Sequence, residues 1–104
     1  MESLIQDLQT TILALETLSG SSVTASDQID ELLDQLFQQK IDLMNASLNV
    51  SSVPFQQAAQ AMAQAAAKAE RAVKEPARVG EMATAVADAI AKLARLLDHV
   101  VPIA

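Results

Sequence analysis

Hydroxyls aside, the reactive side chains of this 104-residue chain are thirteen carboxylates, seven lysines and arginines and a single histidine. Asp27, Asp30, Glu31 and Asp34 fall within eight residues, close enough to raise the question of paired general acids or a metal site. Neither template fits. A calcium loop needs a glycine turn and spaced oxygen ligands, and di-metal bundles use Glu-x-x-His on facing helices; this chain has neither pattern. His99 follows Asp98 with no His-x-x-x-His or Gly-x-Ser-x-Gly sequence to give it a ligand or nucleophile partner. At a helix C-terminus a cationic imidazole is simply favoured by the helix dipole. The absence of cysteine removes thiolate chemistry, Cys-based zinc sites and disulfides. Two glycines, Gly20 and Gly80, are too few for a phosphate-cradling loop. The expectation is a non-enzymatic chain with no cofactor and no metal.

What the charges can do is choose a partner. Residues 1–52 carry eight acids against Lys40 alone, whereas residues 53–104 carry six bases and five acids. The net charge of −6 therefore sits in the first half. Nucleic acid is excluded as a partner, because phosphate binding needs a basic surface and stacking platforms, and here the aromatics are Phe37 and Phe55 only. Asp30, Glu31, Asp34 and Asp42 are read as an acidic strip presented to a basic protein surface, which raises association rate and specificity more than affinity.

Lys40 breaks its local rule. At 100° per residue it falls near the middle of the face carrying Ile29, Leu33, Leu36, Leu43 and Met44. Its charge must escape along a snorkelling stem, find an acid elsewhere, or mark that face as an interface rather than a core. It is accordingly grouped with the four acids as a candidate partner-binding residue.

These residues must be positioned by helices. Leu4, Ile5, Leu8, Ile12, Leu15 and Leu18 line one face of a helix expected over residues 3–18, stopped by Ser19-Gly20-Ser21-Ser22. Thr24 with Asp27 fits a capping box opening a second helix over 25–48. Asn49, Ser51, Ser52 and Pro54 form a break, and Pro54 suits the first turn of a third helix over 54–74. There Phe55, Ala59, Met62, Ala66, Ala69 and Val73 trace a thin heptad seam. A second seam, Val79, Met82, Val86, Ala89, Leu93, Leu96 and Val100, is one residue out of phase with the first, so Pro76 and Gly80 are read as a turn opening a fourth helix over 77–100. Alanine supplies 16 of the 37 residues from Ala58 to Ala94, which predicts close packing of the last two helices. Leu, Ile, Phe37 and Met44 of the first two are expected to fill the remaining core.

The reading is an all-α, single-domain, antiparallel up-down-up-down four-helix bundle. Met1-Glu2-Ser3 is acidic where a secretory signal would be basic, and no apolar run approaches the ~20 residues of a membrane span. The expected location is cytoplasmic. The expected role is a protein-protein interaction module of bacterial type: an adaptor, an effector chaperone or an immunity-type inhibitor whose acidic half covers a basic surface. Two alternatives remain, a self-associating bundle such as a homodimer built on the heptad seams, and an amphipathic lipid-surface or coat protein, which the acidic charge disfavours.

Overall fold

The computed structural model describes residues 2–20, 26–46 and 48–98. Four helices form as the apolar spacing requires: α1 (Glu2–Ser19), α2 (Ser26–Met44), α3 (Val53–Lys74) and α4 (Val79–Asp98). The body measures 41 × 22 × 18 Å, its long axis set by a 22-residue α3 that rises about 33 Å.

Local chemistry fixes where these helices stop and start. The Ser52 hydroxyl accepts a hydrogen bond from the Phe55 N–H and caps α3, with Pro54 in the first turn where no N–H is needed. α2 ends at Met44 rather than continuing to Leu48. The Asn45 side-chain amide donates to the Ile41 carbonyl, 3.0 Å away, and the backbone N–H groups of Asn45 and Ala46 donate to Asp42 and Leu43 in a tightened last turn. Those bonds use up the terminal carbonyls and release the chain into the connection that Asn49 and Ser51 shape. After α3, Pro76–Arg78 forms one 3-10 turn, so α4 starts at Val79, two residues later than the sequence suggests. The one-residue phase slip is thus a turn between antiparallel helices. Thr24, His99 and Val100 lie outside the described residues, as does the tail that follows.

Chain direction alternates, as short connections demand. Ser19, at the end of α1, donates its hydroxyl hydrogen to Asp30 near the start of α2, which clasps the first hairpin. The extensive interfaces are α3–α4, α1–α3, α1–α2 and α2–α4. Two antiparallel hairpins therefore stack side by side, with α1 parallel to α3 and α2 parallel to α4. The consecutive helices α2 and α3 lie across a diagonal, and residues 45–52 cross it.

The core contains Leu4, Leu8, Ile12, Leu15 and Leu18 from α1 and the complete α4 seam through Leu96. In α3 the buried band is wider than a single seam. Ala58, Ala61, Ala65 and Ala72 are buried alongside Met62, Ala66 and Ala69, while Val73 is partly exposed. Following the larger side chains traces only the edge of α3 toward α1, where Met62 Sδ lies 3.9 Å from the Thr11 hydroxyl. The face toward α4 is nearly all alanine, and small side chains let helix axes approach closely. Thr11 is buried without cost to its hydroxyl, which donates to the Asp7 carbonyl at 2.8 Å.

Phe37 and Met44 do not fill the core. Both are exposed, and on α2 the buried stripe is Ile29, Leu32, Leu33, Leu36, Gln39 and Leu43. Counting Met44 as a core residue shifts the centre of that stripe toward Lys40; with Gln39 in its place, Lys40 moves to the edge. There it is half-buried, with no acid in ion-pair range among the described residues.

Candidate interaction surface

α2 carries two apolar stripes on one helix. The first is the buried one. The second is Phe37, Ile41 and Met44, spaced i, i+4, i+7 and therefore aligned on a single face, with 43%, 56% and 66% of their surfaces exposed. It lies about 110° round the helix from the centre of the buried stripe, given 100° per residue. Lys40 stands between the two, which explains its awkward place in the pattern: it marks a boundary between a core face and an outer face.

Two contacts fix which way the outer stripe points. Gln39, on the opposite side of the buried stripe, donates from Nε2 to the Ile90 carbonyl of α4 at 2.9 Å. Asp30, on the side of the outer stripe, meets Ser19 of α1. The exposed apolar stripe therefore runs along the outside of the α1–α2 hairpin, where Ile5 of α1 is half-buried. Toward the hairpin loop the same face continues as Asp34 and Asp30, so Asp30, Asp34, Phe37, Ile41 and Met44 form one line about 21 Å long.

The acids expected to work together are split by this geometry. Asp30 and Asp34 share the line with the apolar residues. Glu31 and Asp42 face outward roughly 100° further round α2, and Asp42 accepts a hydrogen bond from the Gln38 amide at 3.1 Å. All four carboxylates are exposed. The ion pairs of Lys92 with Asp88 at 3.0 Å and of Arg78 with both Glu75 and Glu81 lie within the second half. The hydrogen bond to Glu75, followed by the charges of Glu75 and Glu81, raises the Arg78 pKa further above its ordinary value. Charge is thus compensated in cis around the α3–α4 turn, whereas residues 1–52 carry eight acids with Lys40 as their one basic neighbour in sequence. Sequence reasoning missed Phe37, Ile41 and Met44 as surface residues, although a helix with two apolar stripes separated by a lysine is a readable signal.

Other concavities are shallower in chemistry. A groove of about 380 Å³ between α1 and α3 is lined by Thr10, Leu13, Ala14, Thr17, Glu70, Val73 and Lys74. Leu13, 64% exposed, forms its rim. Among the described residues no group of three or more His, Cys, Asp or Glu side chains could hold a metal ion, and no helix is long and apolar enough to cross a membrane.

Among the described residues Gln39 is the one with a buried side-chain polar atom left incomplete, because its Oε1 has no hydrogen-bond donor. Replacing it with methionine, a straight chain of similar size, is expected to raise the unfolding free energy by up to about 1 kcal/mol, since the orphaned carbonyl oxygen is removed. Urea denaturation of Gln39→Met against the parent chain measures this; a loss of more than about 1 kcal/mol would mean that the bond to Ile90 outweighs the orphan.

Compared with known proteins, the chain matches no family model, no curated protein and no solved structure.

Proposed function

We propose that the chain is a non-enzymatic protein-protein interaction module, cytoplasmic and acting as an adaptor, effector chaperone or immunity-type inhibitor, whose first hairpin covers a basic surface of its partner. The observation that supports this reading is the excess of acid on that hairpin. Residues 1–52 carry eight carboxylates and one lysine, and the ion pairs of Arg78 and Lys92 are all made with acids of the second half. Like charges held on one surface repel one another, and a basic partner relieves that repulsion while steering its own approach. The chain's side-chain inventory, without cysteine and with one histidine, gives an enzyme little to work with.

The test is kinetic. With a partner captured from the native host, the variant Asp30→Asn/Glu31→Gln/Asp34→Asn should associate at least about tenfold more slowly at low ionic strength. Its rate should also respond less to added salt, while its dissociation rate changes little. Stopped-flow or surface-plasmon measurements read both rates. An association rate that is unchanged, with an unchanged salt slope, removes the reading.

A further inference from the structure

We infer that the outer line of α2 is the docking track for one kind of occupant: an amphipathic helix of the partner with apolar residues in its N-terminal half and arginine or lysine in its C-terminal half, lying antiparallel to α2. This rests on the proposed function and deepens it from a charged surface to a defined track.

The argument begins with the arrangement along the track. Met44, Ile41 and Phe37 occupy one end and Asp34 and Asp30 the other, on a single helical face, with the apolar members 43–66% exposed. Apolar anchors at this spacing are what an amphipathic helix reads. Carboxylates that continue the same face require a base opposite them if they are to be covered without an unpaired buried charge.

A second copy of this chain fails that requirement. Two α2 helices paired antiparallel about Phe37 place Asp30 opposite Met44 and bring Asp34 level with Lys40; Lys40 lies about 120° round the helix from Asp34, so the neighbour of Asp34 on the track face is Ile41, and each carboxylate meets an apolar side chain. Paired parallel, they place acid against acid. Only a track of opposite chemistry satisfies both ends. Orientation follows from the helix dipole: basic residues are favoured in the last turns of a helix, so the partner's C-terminal end lies over Asp30 and Asp34. Antiparallel packing also sets the partner's dipole against that of α2.

The experiment uses the full chain, labelled with ¹⁵N, and a synthetic amidated helical peptide of about 18 residues, long enough to cover the track. The peptide carries leucine at i, i+3 and i+7 in its first half and arginine at i+10 and i+14 in its second, in an alanine-glutamine background. Saturable amide shifts centred on residues 30–44 are expected, with none of comparable size in α3. A scrambled peptide of the same composition and a version with glutamate in place of arginine should each bind at least about tenfold more weakly. Phe37→Ser/Ile41→Ser, at exposed positions, should weaken binding by at least about tenfold. Asp34→Asn should weaken it less and lower its salt dependence. Several results would overturn the inference: no saturable shifts, shifts mapping outside α1 and α2, equal binding of the scrambled or the glutamate peptide, concentration-dependent shifts of the track in the protein alone, or preferential binding of the track to phosphatidylcholine-phosphatidylglycerol vesicles. A captured basic partner that slows on charge neutralisation, yet ignores Phe37→Ser/Ile41→Ser, would leave the proposed function standing and remove the track.

Discussion

Leu36→Ala is expected to lower the unfolding free energy by about 2–5 kcal/mol, whereas Phe37→Ala, one residue along, should change it by less than about 1 kcal/mol. Leu36 is fully buried in the middle of the α2 core stripe. Truncating it removes its transfer free energy and leaves a cavity that the neighbouring helices can only partly close. Phe37 turns its ring to the outer face, so its loss opens a notch in the surface and no void. For a bundle of this size, with total stability near the lower end of about 5–15 kcal/mol, the Leu36 change consumes much of what is available. Its urea midpoint should fall by at least about 1 M, taking a denaturant slope of about 1–2 kcal/mol/M. Circular dichroism at rising urea reads both variants. If Phe37→Ala proved as damaging as Leu36→Ala, the outer stripe would be part of the core and the docking track would be lost with it.

Ala65→Leu should destabilise by about 1–3 kcal/mol or more, against a change of under about 0.5 kcal/mol for Ala63→Leu in the same helix. Both substitutions exchange one strong helix former for another, so helix propensity nearly cancels. What differs is room. Ala65 is fully buried on the face of α3 turned toward α4, and Ala63 is exposed. Three additional carbons at Ala65 must push apart two helices whose approach depends on the small side chains that α3 contributes. Thermal unfolding followed by circular dichroism separates the two cases. A tolerant Ala65 site would show that the α3–α4 seam is loosely packed and that the alanines there are incidental.

The fold was legible because period-3.6 patterning, caps and breakers agreed along most of the chain. The α4 seam from Val79 to Leu96 is buried as its spacing required, and Ser52 with Pro54 opens α3 as their chemistry dictates. Alanine defeats the same method. It is equally at home inside and outside, so the seam of Phe55, Ala59, Met62, Ala66, Ala69 and Val73 left out the buried Ala58, Ala61, Ala65 and Ala72, although the alanine content had pointed to close packing of α3 on α4. The end of α2 was misjudged because Asn45 closes the helix with its own side chain, a competition that apolar spacing does not register.

The candidate surface was half legible. Charge counting located the hairpin, and Lys40 flagged the helix face where the pattern broke. Hydrophobicity could not say whether Phe37 and Met44 were packed by this chain or kept for another, because burial belongs to the assembly of helices and not to the residue type. The order of contacts around the bundle was also outside the sequence's reach: antiparallel neighbours follow from short loops, but nothing local says that residues 45–52 cross a diagonal.

The alanine seam has an entropic consequence. A leucine or methionine loses rotameric freedom on packing, and an alanine has none to lose, so the second hairpin is assembled at a lower side-chain entropy cost than the first. Less is gained per residue from burial, but less is surrendered too, and the balance shifts from side chains that must be immobilised to backbones that simply approach. The half of the molecule without the acidic track is thereby held chiefly by the approach of its backbones, and the leucine-rich hairpin bound along it by side chains that surrender their rotamers on packing.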